Sequence, residues 1–522
     1  MNSGIKDGLF AIAITLSLFT TAVTSAQEKK ASHHHYKFVD LGTFGGPTSG
    51  VNGEPSVQVI NNRGTVVGVA DTSMLTPVPA GYNPIGNQDF FVSHAFVWRG
   101  TRLKDLGTLP GGFYSFAAAI NQHGQIAGTS ENNQIDPASG NPEFHAVLWQ
   151  NDKILDLGTL GGTASFAATL NDHGQVIGQA LNNIPDPLSI LGLGSQTTLT
   201  QTHAFLWENG KMQDLGTLGG PDSWAMYVND HGQVAGTSYT NGVIAQNAIA
   251  PQSNAYLWEN GKMKDLGNLG GTNSFLGPQF VNALNNRGQV VGLMALADES
   301  VRHPFFWDGE KLLDLVGFGG TFSTATGIND SGEIVGYSYF PGDHVKHAFS
   351  WKNGLVTDLG SVGSDPCSFA FNINSKGQIV GGSQNARCDP FTHAVLWEPG
   401  EPGVDLNTLI PTGSNLQLVV ANWINDRGEI VGVGHDPACP NPNPDTCDGH
   451  AWVLIPCDED HPDIEGCDYE PVEAVTEASA NFAEIARVPA ASATSVSLAE
   501  AQTQFHSKMA NHYSKSGVPY DK

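Results

Sequence analysis

Gln201–Ser238 reads QTHAFLWENGKMQDLGTLGGPDSWAMYVNDHGQVAGTS, and four strand-length apolar runs lie inside it: His203–Trp207, Lys211–Leu215, Trp224–Val228 and Gln233–Gly236. Turn residues bound each run. Asn209-Gly210, between the first two, has the side chains of a two-residue hairpin, and Asn229-Asp230-His231-Gly232 joins the last two. Hairpin-linked strands of this length pack as a small antiparallel sheet, and the unit returns every ~40–60 residues along the chain. Sheets repeated at that period, four strands to each, close into a β-propeller.

The Asn-x-x-Gly turn occurs eight times, beginning at Asn61, Asn121, Asn171, Asn229, Asn285, Asn329, Asn374 and Asn425. A His-Ala-aromatic-x-Trp strand also occurs eight times, from His94, His145, His203, Asn254, His303, His347, His393 and His450. The Asp-Leu strand does the same at Asp40, Asp105, Asp156, Asp214, Asp265, Asp314, Asp358 and Asp405. Three independent counts give eight blades. Strands converge toward a propeller axis and need small residues there, so the alanine-rich run before the Asn turn (Ala117, Ala167, Ala225, Ala325, Ala370) is the innermost strand, A. The Gly-Gln-Val run follows as B, the Trp run as C and the Asp-Leu-Gly run as the outer strand D. This frame leaves a lone D strand, Tyr36–Leu41, at the start and a lone C strand, His450–Leu454, at the end. Pairing them completes the eighth blade and removes two open sheet edges. The expected fold is all-β: one eight-bladed propeller of four-stranded antiparallel blades over residues 36–456.

The chain has 522 residues and a net charge of −27, which argues against a nucleic acid partner, whose phosphates need a Lys/Arg footprint. Residues 1–26 read as a secretory signal: Lys6 precedes the apolar run Leu9–Phe19, and Thr24-Ser25-Ala26 offers small residues for cleavage. That run is too short for a membrane span, so the expected location is secreted or periplasmic, with no membrane span and a monomeric chain. Six cysteines, Cys367, Cys388, Cys439, Cys447, Cys457 and Cys467, suit an exported protein as disulfides, and pairing in sequence order is the simplest connectivity. No CxxC pair is present to argue for zinc, and neither metal nor cofactor is expected. Residues 27–35, with His33-His34-His35, read as a flexible lead-in. Residues 457–522 read as an acidic and Ala/Ser-rich tail, partly disordered or helical, with a possible helix at Ser497–Tyr513.

Loop lengths point to one face. The A–B and C–D connections are tight, whereas the B–C connections at Asp71–Ser93, Glu131–Phe144, Ala180–Thr202, Tyr239–Ser253 and His435–Gly449 are long. In an up-and-down blade the B–C and D–A connections emerge together. Seven repeated histidines and eight repeated aspartates serve the fold, through cross-strand bonding, rather than a site. The Asn-Asp-x-Gly turns lack the acidic positions of a calcium loop. Phe116, Phe166, Trp224, Phe275 and Phe369 open strand A and read as inter-blade packing, with an aromatic collar for sugars as the alternative. A ligand breaks symmetry, so departures from the repeat are the ligand-binding candidates: Tyr114, Trp224, Gln279, Asn282 and Trp423. Carboxylate pairs for glycoside hydrolysis could come from Glu54, Glu131, Asp186 or Asp222.

His-Ala-Phe-x-Trp, then Asp-Leu-Gly-Thr-Leu-Gly-Gly, Ser-x-Ala-x-x-Ile-Asn and Gly-Gln-x-x-Gly, resembles the bacterial extracellular HAF-repeat family, over about residues 36–455. The strand order is similar, more loosely, to Kelch propellers. The resemblance implies an exported repeat protein and supplies no catalytic residues. The expected function is binding of an extracellular polymer, such as a glycan, or a protein through the long-loop face. The alternative is a polysaccharide hydrolase or lyase at the channel mouth of that face.

Overall fold

The computed structural model describes residues 32–51, 58–76, 91–137, 140–186, 200–243, 251–275, 283–297, 299–438, 449–470 and 472–473. The proposed signal and the Ser497–Tyr513 helix fall outside them. So do Gln279, Asn282, Glu54, Cys439, Cys447 and the middles of the long B–C connections.

Eight four-stranded antiparallel blades form a ring, as the repeat counts require. Blade 3 is representative, with strands A (Gly161–Leu170), B (Val176–Pro185), C (Thr200–Glu208) and D (Lys211–Asp214). The C–D turns take the hairpin form that Asn-Gly encodes: Asn209 and Gly210 both have positive φ (52° and 82°), as do Asn260 and Gly261. The ring closes as the frame predicts, since Tyr36–Asp40 pairs with the last C strand, Gly449–Pro456, from Tyr36 opposite Pro456 to Asp40 opposite Trp452.

The repeated asparagines do more than turn the chain. Each Asn Oδ1 accepts the N–H groups two and four residues on, as at Asn171 with His173 and Gln175. Each Asn Nδ2 donates to the backbone carbonyl of the next blade's asparagine. The links run from Asn61 to Asn121 and onward around the axis, and the last, from Asn425 back to Asn61, closes the circle; all are 2.9–3.0 Å long. A second set runs beside it, in which the residue after seven of the eight asparagines offers its N–H to the neighbouring side chain, as from Asp172 to Asp230 at 3.1 Å. Strand A is therefore the axial strand, and its turns form a hydrogen-bonded collar.

Strand B glycines explain the other repeated motif. Strand A carries a bulge in most blades, between Ala167 and Thr169 in blade 3. The bulge drives the Phe166 carbonyl toward Gly178, where an added Cβ would lie 2.0 Å from that oxygen. Gly128, Gly236, Gly336, Gly381 and Gly432 meet the same obstacle at 1.9–2.2 Å.

On the outer rim, six of the seven strand-C histidines bond through Nδ1 to the strand-D aspartate, at 2.8–3.0 Å, from His94 with Asp105 to His450 with Asp40. Asn254 makes the same contact with Asp265 through its amide. Burial alone would raise these aspartates, but the histidine bond and a backbone N–H outweigh it at Asp105, Asp156 and Asp214 and hold them low.

His393 departs from this. Its Nδ1 bonds to Asp365 at 2.8 Å and leaves the strand-D Asp405 at 4.0 Å. The Asp365 bond lifts the imidazole above its ordinary value. Burial would raise Asp365, yet hydrogen bonds from His393, Ser383 and Thr392 hold it down. A raised histidine contributes fully below about pH 6.5 and loses that contribution as pH rises through its folded value, whereas a depressed aspartate contributes above about pH 4 and loses it as pH falls. His393→Ala is therefore expected to cost most, about 1 kcal/mol for this part-exposed pair, between about pH 4 and 6.5. The cost should shrink above that window, which urea midpoints of both proteins across pH will read.

The A–B turn face is not bare. The Cys457–Cys467 disulfide closes a loop beside the ring seam. Cys457 N–H donates to the His35 carbonyl, and Arg427 and Lys376 reach Asp460. His461, buried, sits between Asp458 (2.7 Å) and Glu429 (3.4 Å). Ser32–His33 pairs with Val472–Glu473, so the described lead-in and tail residues hold each other. A second disulfide joins Cys367 to Cys388, so two of the three sequence-order pairs are present and the third lies outside the described residues.

Candidate functional site

The face carrying the B–C connections differs from blade to blade. Strand B runs ten residues in blades 1, 2 and 3 (Val66–Leu75, Ile126–Ile135, Val176–Pro185) and six in blades 6 and 7 (Ile334–Tyr339, Ile379–Gln384). The overrun is held by a side chain that accepts the N–H two residues later, which a short polar group at that spacing does readily. Thr72 does this for Met74, Asn132 for Gln134, Asn182 for Ile184 and Asn241 for Val243. At these tips apolar side chains stand in water: Met74, Leu75, Ile135, Ile184 and Val243 are each 49–69% exposed. Blades 1 to 3 thus carry exposed aliphatic residues on their overrunning strand-B tips, and blade 4, whose strand B ends at Tyr239, adds Val243 in the connection that follows. Sequence reasoning passed over them because an apolar residue after strand B reads as more strand; the Asn-x-Ile step at Asn182–Ile184 is the signal that marks them.

The residues singled out as departures from the repeat lie inside. Tyr114 (2% exposed) packs with Val92, Phe144 and Phe166 beneath this face. Trp224 (2%) meets the Tyr239 ring edge-on at 6.1 Å. Trp423 is in the core beside Val59 and Phe371. The strand-A aromatics pack against aromatics of the adjoining blade: Phe116 and the strand-C Phe144 of blade 2 against Phe166, and the strand-B Tyr337 of blade 6 against Phe369. Lys346, itself buried, holds its ammonium 4.1 Å above the Phe369 ring.

The buried acids of this face are mostly committed to the backbone and to hydroxyls. Glu131 accepts from the N–H groups of Phe113 and Tyr114. Asp71 takes Thr48 and the Ser93 hydroxyl, and Asp365 takes Ser383, Thr392 and His393. Asp222 is the exception, since burial and the nearby Asp186 push it up to about 7 while the Thr202 N–H pulls the other way. Among the described residues no three His, Cys, Asp or Glu side chains converge as a metal cluster would. No helix among them is long and apolar enough to cross a membrane.

No family model matches the chain, and no curated protein matches it. Solved propellers resemble it in shape. The β-propeller domain of the trilobed protease from Pyrococcus furiosus is 10% identical with a TM-score of 0.39, over 71% of this chain and 98% of that one. Oligogalacturonate lyase from Vibrio parahaemolyticus is 8% identical with a TM-score of 0.36, over 83% and 99%. Dipeptidyl peptidase 4 from Porphyromonas gingivalis is 8% identical with a TM-score of 0.40, over 78% of this chain and 65% of that chain. Likeness at this level concerns architecture and carries nothing about activity.

Proposed function

We infer that this is an exported binding module, a HAF-type repeat propeller whose long-loop face docks an extracellular protein. The crest of Met74, Leu75, Ile135, Ile184 and Val243 carries that reading. Aliphatic tips repeated over neighbouring blades are the kind of exposed apolar surface that marks a protein contact. Sugar rings stack on aromatic faces, and the aromatics near the mouth are spent on one another, so a protein fits better than a glycan. The enzymatic alternative finds less support, because Glu131, Asp71 and Asp365 are consumed in structural hydrogen bonds.

The test is incubation of the purified protein with a polysaccharide panel and, separately, with cell-surface protein extracts. Depletion of the propeller from solution by a protein fraction is expected, with no new oligosaccharides by mass spectrometry. Release of oligosaccharides would overturn the reading in favour of an enzyme.

A further inference from the structure

The seam between blades 3 and 4 sets two carboxyl groups against each other on the long-loop face. Asp186 follows the overrunning strand B of blade 3, and Asp222 stands immediately before strand A of blade 4 (Ser223–Val228). Both are buried, at 5% and 0% exposure.

The preceding seam shows what this arrangement replaces. Asn132-Asn133-Gln134-Ile135-Asp136 and Asn182-Asn183-Ile184-Pro185-Asp186 occupy the same place in successive blades. Asp136 accepts from the hydroxyl of Thr163, at 3.0 Å, near the start of the next blade's strand A. In the corresponding stretch of blade 4, Gly220-Pro221-Asp222-Ser223, Pro221 stands at the place of Thr163, and Asp222, at the place of Ala164, adds a second carboxyl.

Three of the oxygen atoms here, on Asp222, Thr202 and Thr200, have no hydrogen-bond partner among the described residues. Asp222 Oδ1 accepts from the Thr202 N–H at 2.7 Å, and Oδ2 has no hydrogen-bond partner among the described residues. The hydroxyl of Thr202, a residue with no exposed surface, is also without one, as is that of Thr200. Thr200 lies opposite Pro185 in the ladder, which brings it beside Asp186. No lysine or arginine forms an ion pair with Asp222 among the described residues. Buried polar atoms left open in a native fold call for an unseen partner, and buried carboxylates call for positive charge.

We propose that this seam binds a hard divalent cation of the calcium type through the carboxylates of Asp186 and Asp222 and the hydroxyls of Thr200 and Thr202. The donor set is all oxygen, which excludes the nitrogen and sulfur preference of zinc. Two carboxylates used through both oxygens, with two hydroxyls, reach the lower end of the roughly 6–8 ligands calcium takes. The ion ties the strand-B tip bearing Ile184 to the axial strand of the next blade. This inference stands whether or not the face binds a protein.

Terbium luminescence tests it, because Trp224, two residues from Asp222, lies in place to sensitise the ion. Saturable emission excited through tryptophan, displaced by calcium and lost in Asp222→Asn, is expected. The asparagine keeps an acceptor for Thr202 and offers Asp186 an amide donor, so the metal-free variant should fold. Asp186→Asn provides a second variant should it not, and calcium against a chelator should raise the thermal midpoint of the unmodified protein only. Absence of saturable emission, or emission unchanged in both variants, would overturn the proposal. A protein stabilised by acid and indifferent to calcium would overturn it too, by assigning the pair a shared proton.

Discussion

Gly178→Ala is expected to prevent recovery of folded protein, or to lower stability by about 4 kcal/mol or more. The added methyl would sit 2.0 Å from the Phe166 carbonyl oxygen, well inside contact distance. Neither atom is on a flexible side chain, so relief requires moving strand A or strand B, and strand A is pinned to its neighbours through the asparagine collar. Core overpacking costs ~1–3 kcal/mol when side chains can yield, and here backbone must. Gly210→Ala is the control. Gly210, unlike Gly178, has a positive φ, 82°, and nothing lies within 4 Å of its added Cβ, so backbone strain alone, about 1 kcal/mol, is expected. Soluble yield, circular dichroism and denaturant midpoints of the two variants separate a clash from a turn preference.

Asn171→Ala should be the next most damaging. The buried asparagine accepts from His173 and Gln175 and donates to the Gln175 side chain and the Asn229 carbonyl, and alanine removes all four bonds. At ~1–3 kcal/mol for each buried polar group left unsatisfied, with partial relief by water, a loss of about 3–5 kcal/mol is expected. Asn171→Asp sharpens the test. Aspartate keeps both acceptor contacts, but turns an oxygen toward the Asn229 carbonyl and the Gln175 amide oxygen. Its penalty should be largest near neutral pH and should ease as pH falls toward about 4, because repulsion makes the carboxyl protonate in the folded protein at a higher pH than in the unfolded chain. A penalty for the aspartate variant that does not change with pH would mean the inter-blade donor is not what the asparagine supplies.

The repeat made the architecture legible. Eight matching turns, strands and aspartates define blade number, strand order and closure by Tyr36–Asp40, because each depends on local spacing alone. The histidines were legible for the same reason, as partners of a strand-D aspartate one hairpin away. His393 was not, since Asp365 lies outside its hairpin and captures the imidazole only when blade 7 is assembled. The asparagines read as turn residues, which they are. Their second role joins residues 44 to 60 apart around an axis, and from blade 8 back to blade 1, and no local pattern shows that.

The site was less legible. Looking for departures from symmetry singled out bulky residues such as Tyr114 and Trp224, but a large ring at the start of a converging strand is drawn into the gap between blades. The exposed positions proved to be aliphatic residues at strand-B tips. Their exposure comes from strands that outrun their own sheets, a matter of geometry rather than residue type. Asp222 was named only as one of several acids; its facing partner became visible when the seam between blades 3 and 4 could be compared with the one before it.

The most direct test of the long-loop face compares variants on the two sides of the ring. Leu75→Ser/Ile135→Ser/Ile184→Ser alters the crest, and His123→Ala/His173→Ala/His231→Ala alters exposed turns on the opposite face. Each is assayed for depletion from solution by cell-surface protein, with circular dichroism to establish folding. Burial of each crest side chain is worth about 1.5 kcal/mol, roughly tenfold in affinity, so the crest variant should stay in solution while the histidine variant binds like the unmodified protein. Undiminished binding by the crest variant, or loss of binding in the histidine variant, would place the contact elsewhere and contradict this account.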